Sequence, residues 1–234
     1  MRPRQRKELA VLHEDNHLLI IDKPAGMPSQ PDRTGDPDVL TLGKALIKER
    51  YNKPGAVFLG LVHRLDRPSS GVMVLARTSK SASRLSEQFR DKTIRKTYLA
   101  LLEGVPEEGA VYQDWLIKEY ERVKLVPQGT KGAKKASLKI IKVIRFGALS
   151  LVQVELETGR SHQIRIQFSE RGHPLVGDFR YRSRRELDGR NLALHAGVLE
   201  FNHPTKKDRL RFATLVPSTW PEDVQEAGNR LLGM

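Results

Sequence analysis

The sequence predicts an α+β fold built on a mixed, largely antiparallel sheet with flanking helices. Short apolar runs bounded by turn residues recur along the chain and outnumber the helical patterns. Several of these runs are joined by short turns, which favours antiparallel neighbours over crossover connections. The 234 residues, 38% hydrophobic and 29% charged, suit a soluble globular chain long enough for one large domain or two small ones.

Residues 1–7 read as a basic tail, and no apolar segment follows them to make a secretory signal. Residues 18–21 read as a strand that ends at Lys23-Pro24. Residues 24–38 hold four prolines, two glycines and three aspartates, a long surface loop. Leu40, Leu42, Leu46 and Ile47 mark a helix reaching about Arg50. Two buried strands follow, at 57–62 and 72–76, around a turn rich in Pro, Ser and Gly. Ser79 is placed to cap a helix running to about Arg90, with Leu85 and Phe89 on its core side. Residues 98–102 form a strand leading into a Gly/Pro turn.

Residues 118–145 carry nine Lys/Arg against two Glu, and 128–135 within them read as a flexible basic loop. The alternation in 138–146 and 149–156 predicts paired strands around Gly147. Ser161 is placed to cap a short helix ended by Gly172, although Ile164, Ile166 and Phe168 equally fit a strand. Residues 180–190 form an arginine-rich loop. Strands at 194–201 and 210–212 and a helix at 221–232 complete the chain.

A formal net charge of +13 points to a polyanionic partner, nucleic acid ahead of acidic lipid. No apolar run approaches the ~20 residues of a membrane span, and no basic amphipathic helix favours a membrane surface. Zero cysteines exclude disulfides, thiolate catalysis and Cys-ligated zinc. No cysteine accompanies the seven histidines, and no metal site is expected. No phosphate-cradling glycine loop appears. A cytoplasmic monomer is the default expectation.

The most informative segment is His63-Arg64-Leu65-Asp66-Arg67-Pro68-Ser69-Ser70-Gly71. It sets Asp66 between two arginines at the mouth of two core strands. A neighbouring cation favours the charged carboxylate, which suits a nucleophile or charge stabiliser better than a proton donor. The residues alone equally fit an Asp that caps a turn and pairs with Arg for structure.

This segment resembles the signature of the RluA-type pseudouridine synthases. Four further blocks resemble that family in the same order: Asp22-Lys23-Pro24-Ala25-Gly26-Met27, Arg95-Lys96-Thr97-Tyr98, the run from Thr158 through Gly159, Arg160, Ser161, His162, Gln163 and Ile164 to Arg165, and Gly172-His173-Pro174-Leu175-Val176-Gly177-Asp178 with Leu194-His195-Ala196 beyond it. The resemblance covers about residues 8–216. It implies one catalytic domain over 8–234, a mixed sheet with a cleft across its middle, and no separate N-terminal RNA-binding domain.

The implied activity is isomerisation of uridine to pseudouridine in structured RNA, either tRNA or rRNA, without cofactor or metal. Asp66 is then the catalytic carboxylate, and the resemblance leaves open whether it attacks the sugar, attacks the base or supports a glycal-like path. Arg165 is implied as its partner, able to hold a carboxylate bidentately. Tyr98 would stack on uracil or serve in proton transfer. The target base must leave its stack, and Arg64 is implied to hold the rearranged RNA. Arg160 and His162 either touch phosphate or ribose or serve structure. Arg67, Lys131, Lys134, Lys135 and Arg182 are further candidate RNA contacts. His63 and His195 are expected to pack beside their strands.

Two other functions compete. A non-catalytic RNA-binding module would keep the fold without turnover, and the intact set of Asp66, Tyr98 and Arg165 argues against it. A nucleoside or sugar hydrolase would need a second acid, for which Asp178 and Glu170 are the nearest guesses.

Overall fold

The computed structural model describes residues 9–120 and 122–234, and the expected basic tail at 1–7 lies outside them. The apolar runs become one sheet of eleven strands. These are β1 (Ala10–Glu14), β2 (Leu18–Lys23), β3 (Gly60–Leu61), β4 (Ser70–Ala76), β5 (Arg95–Glu103), β6 (Val111–Glu119), β7 (Arg122–Val126), β8 (Lys134–Phe146), β9 (Leu149–Leu156), β10 (Leu194–Asn202) and β11 (Arg209–Ala213). The order is β1-β2-β4-β10-β5-β9-β8-β6-β7, with β11 on β10 and β3 on β4. Among these named pairs only β4 with β10 is parallel. Four helices, α1 (Val39–Arg50), α2 (Ser79–Arg90), α3 (Gln163–Ser169) and α4 (Glu222–Leu231), join the strands. Among the described residues no helix is long and apolar enough to cross a membrane.

All seven residues of β4 are buried, as its unbroken apolar run requires. One edge of β4 pairs with β2 from Gly71 to Ala76. Its pairings with β10 at Ser70 and Gly71 and with β3 at Leu75 and Ala76 fall at opposite ends of the strand. The expected strand at 57–62 is therefore reduced to Gly60 and Leu61. At Gly71, φ is +119° and an added Cβ would sit 2.3 Å from the Ala196 carbonyl oxygen, so only glycine lets β10 come this close.

Other departures from expectation have local causes. The segment 118–145 holds the end of β6, β7 and most of β8, with the expected basic loop shortened to 127–133. Lys134 and Lys135 lie in β8, paired with Leu116 and Trp115, rather than in a loop. Their charge conceals a strand whose next residues, Ala136 and Leu138, are buried. Thr78, not Ser79, caps α2, its hydroxyl accepting the Ser81 N–H at 3.1 Å. Ser161 does not cap α3; His162 holds that position with φ +52° and no capping side-chain bond. The segment is a helix, and every one of its seven residues is buried. A helix buried all round has no polar face to reveal its period.

The loop after β2 clamps the turn that carries Asp66. Ser29 Oγ donates to the Leu65 carbonyl at 2.8 Å and accepts the Leu65 N–H at 3.2 Å. The Gly26 N–H and Lys23 Nζ both donate to the Arg67 carbonyl, at 2.8 and 3.2 Å. Lys23 is fully buried and also donates to the carbonyls of Pro24 at 3.0 Å and Met27 at 2.8 Å. Burial pulls its ammonium down to about 7, against the attraction of Asp66 and Asp22. Three carbonyl acceptors nonetheless match the three donors that only the charged form offers.

Lys23→Met strands the Pro24 and Met27 carbonyls and should cost about 3 kcal/mol of stability. The check is a urea unfolding curve: the midpoint falls with the slope unchanged. A loss under about 0.5 kcal/mol, the range of an ordinary surface change, would mean that the clamp holds without its lysine.

Candidate active site

A cleft of about 930 Å³ runs over the middle of the sheet, with Leu194 at the start of β10 on its wall. The turn before β4 places Asp66 there, β5 places Tyr98 and α3 places Arg165. The three residues expected to carry the chemistry are thus brought together from distant parts of the chain. The Asp66 side chain is 29% exposed, open to the cleft, and its Oδ2 lies 3.4 Å from Arg165 Nη1.

Arg165 is held from behind. Its Nε donates to Asp178 Oδ2 at 2.6 Å and its Nη2 to Asp178 Oδ1 at 2.8 Å. Burial opposes its charge, but the hydrogen bonds and charge of Asp178, with Asp66 behind them, outweigh this and hold it above the ordinary arginine value. The tighter partner is therefore Asp178, and Asp66 receives the remaining arm of the fork. A buried arginine needs a carboxylate, and that requirement is the sequence signal that would have assigned Asp178. Asp178 is not a spare acid: its side chain is 1% exposed and both oxygens are engaged. Glu170 pairs with Arg182 at 3.2 Å, and neither acid lines the cleft. The second carboxylate of a hydrolase is not supplied by either residue.

Burial, and then the charge of Asp66, pushes the Tyr98 phenol up, so it stays a neutral O–H donor. His162 also lines the cleft, with Nε2 3.8 Å from Asp66 Oδ2. Burial lowers its pKa, with Arg165 and Arg180 adding to this and Asp66 and Asp178 opposing it. His63 is packed, as expected. Its Nε2 accepts the Val74 N–H at 3.0 Å, its ring stacks on Phe89 at 4.8 Å, and burial lowers it to about 3. His195 is buried between Ser70 and Thr214.

The candidate RNA contacts divide. Arg64 is exposed on the cleft wall with no ion pair among the described residues. Arg160 lines the cleft, its Nε donating to the Lys135 carbonyl at 3.0 Å. Arg67 is engaged by Asp32 at 3.4 Å, by Asp36 and by Thr34 at 3.0 Å, which ties the 24–38 loop to the Asp66 turn. Lys131, Lys134, Lys135 and Arg182 do not line the cleft.

Arg90, Lys96, Lys118 and Arg180 do line it; Lys118 and Arg180 open the basic segments 118–145 and 180–190 noted from the sequence, but none of the four is among the individual candidates named there. Lys96 was within reach: it stands two residues before Tyr98 on one strand, hence on the same face. Burial, with Arg160 and Lys92 nearby, pulls its ammonium down to about 8. Lys118 was hidden because β6 was not recognised. The cleft thus sets one open carboxylate, braced by a buried arginine, under a cationic rim suited to a polyanion.

Known proteins share this arrangement's sequence and fold. Residues 17–170 match the family described as RNA pseudouridylate synthase. A protein of Xanthomonas campestris pv. campestris named ribosomal large subunit pseudouridine synthase D is 36% identical over 93% of this chain and 67% of its own length. An uncharacterized RNA pseudouridine synthase of Bacillus subtilis is 31% identical over 93% of this chain and 72% of its own. The chain thus spans about two thirds of the length of such relatives. The solved structure titled human RNA pseudouridylate synthase domain containing 4 superposes with a TM-score of 0.75 at 25% identity, covering 89% of each chain. With the blocks around Asp66, Tyr98 and Arg165 lining one cleft of the shared fold, the chain belongs to the RluA-type RNA pseudouridylate synthases.

Proposed function

We propose that the protein isomerises specific uridines to pseudouridine in structured ribosomal RNA, with Asp66 as the catalytic carboxylate. The observation that carries this is the Asp66 carboxylate, open to a cationic cleft and braced by an arginine whose other side is locked on Asp178. Ribosomal RNA is favoured over tRNA because curated relatives are named for the large ribosomal subunit.

The reaction breaks the bond from uracil N1 to ribose and remakes it from C5, so atoms balance without a co-reactant. Asp66 supplies negative charge beside the anomeric carbon or the base. Arg165 keeps that carboxylate aimed. Tyr98 presents a ring for stacking on uracil and a neutral hydroxyl for proton transfer. The base reaches Asp66 only after leaving its stack, which costs a few kcal/mol. Arg64, exposed at the rim, is placed to hold the opened RNA, and Lys96, Lys118 and Arg160 to take phosphates.

Asp66→Ala should abolish pseudouridine formation while RNA affinity stays within about threefold, since phosphate contacts dominate affinity. Mapping pseudouridines in RNA treated with each protein tests this, and turnover by the folded variant would remove Asp66 from the chemistry. Arg165→Met should cost about 3–5 kcal/mol by stranding the Asp178 charge. Combining it with Asp178→Leu should recover much of the stability but none of the isomerisation. Recovered single-turnover activity in that double variant would make Arg165 merely structural.

Affinity should fall steeply with salt. Neutralising Lys96 and Lys118 together should lower the slope of log K against log salt by about two. Neutralising Lys131, Lys134 and Lys135 asks whether the neighbouring segment shares the contact. An unchanged slope would take it off the binding surface.

A further inference from the structure

Tyr181 is buried where three elements meet. It ends a 3₁₀ turn at Phe179–Tyr181, and the Arg165 guanidinium carbon stands 5.0 Å from the centre of its ring. Its ring packs in a small cluster with Leu116, Val123, Ala136 and Ile166, which joins the β6–β7 hairpin and β8 to α3. β7 is the last strand of the sheet path. The Val123 N–H on this strand goes to Tyr181 Oη at 3.0 Å. The same oxygen lies 2.8 Å from His162 Nδ1, and His162 Nε2 lies 3.8 Å from Asp66 Oδ2.

The proton count gives this line a direction. Oη accepts the Val123 N–H and has one proton to donate. Among the described residues His162 Nδ1 is the only acceptor in reach of it. Nδ1 must then be unprotonated, and the neutral ring carries its proton on Nε2, facing the Asp66 carboxylate. The opposite tautomer would leave the Tyr181 proton buried without an acceptor and set a lone pair against Asp66. Burial and the neighbouring Arg165 and Arg180 disfavour the doubly protonated ring, against Asp66 and Asp178.

We propose that Tyr181 is a positioning residue that couples the seating of the β6–β7 hairpin to the orientation of His162 toward Asp66. The proposal rests on the isomerase reading above. The hairpin also carries Lys118 to the cleft wall, so RNA drawn to that lysine presses on the element whose backbone Tyr181 holds. RNA seating and carboxylate geometry are then linked through one hydroxyl.

The test uses Tyr181→Phe, which keeps the ring and removes only Oη, with an in vitro transcript of large-subunit ribosomal RNA as probe. The variant should bind the transcript within about twofold of wild type and lose about tenfold in single-turnover rate at saturating RNA. His162→Ala should lose at least as much, and the double variant no more than His162→Ala alone, because the two act in series. In the free protein, nitrogen NMR should find His162 protonated at Nε2, with that preference lost in Tyr181→Phe, where Val123 amide exchange should also quicken. A wild-type rate for Tyr181→Phe, additive losses, or a His162 protonated at Nδ1 would each overturn the proposal. If wild-type protein converts no uridine in the transcript, the functional reading fails instead, and the tautomer and exchange measurements decide the link by themselves.

Discussion

The Asp66 carboxylate receives no backbone hydrogen bond among the described residues, so its place in the cleft is set by what holds Leu65 and Arg67. Ser29 grips Leu65 through both its N–H and its carbonyl, and Lys23 and Gly26 converge on the Arg67 carbonyl. The carboxylate stays open while its neighbours are fixed. Pre-organisation of this kind lets a charged group face substrate without spending its own hydrogen bonds on structure. Arg67 continues the clamp outward, tying Asp32 and Asp36 to the same turn.

Electrostatics completes what the backbone begins. One arginine faces two acids, and burial decides how they share it. Asp178, almost wholly enclosed, takes two arms of the guanidinium. Asp66, open to the cleft, takes the third at 3.4 Å. Placing Arg165 on a helix buried all round costs desolvation that only a fully engaged carboxylate offsets. Other polar groups of that helix are engaged too: Gln163 binds Thr158 and the Ser137 carbonyl, Gln167 Nε2 donates to Asp114 at 2.6 Å, and Ser169 binds the Tyr181 carbonyl. α3 thus mounts Arg165, whose Nη1 reaches toward Asp66 at the cleft.

The site lies where the sheet changes character. β10 runs parallel to β4 and antiparallel to β5, so the turn before β4 and the face of β5 open into the same cleft. The close approach at Gly71 brings β4 and β10 together. The cleft walls are lined with cations from β5, β6, α2 and the turn before α3, so one cavity combines an open carboxylate with a cationic wall suited to a polyanion.

Much of this was legible in the chain itself. Continuous apolar runs marked β2, β4 and β5 because strands buried on both faces need no polar residues, and alternation marked β9. Local chemistry marked Asp66 between arginines, and the ordered blocks marked Tyr98 and Arg165. What the sequence could not show followed from distance and from burial. β6 and β7 carry lysines and glutamates on their exposed face, so their apolar residues read as interruptions of a charged segment. α3 concealed its period because all its faces are enclosed. Residue types alone determined that a carboxylate, a phenol and an arginine were available under a large positive charge. Tertiary structure decided that Asp178 would hold the arginine, that Lys23 would hold the turn, and which cations would face the cleft. Each of those depends on which groups lose water together when the sheet closes, and that is a property of the folded neighbourhood rather than of any one segment.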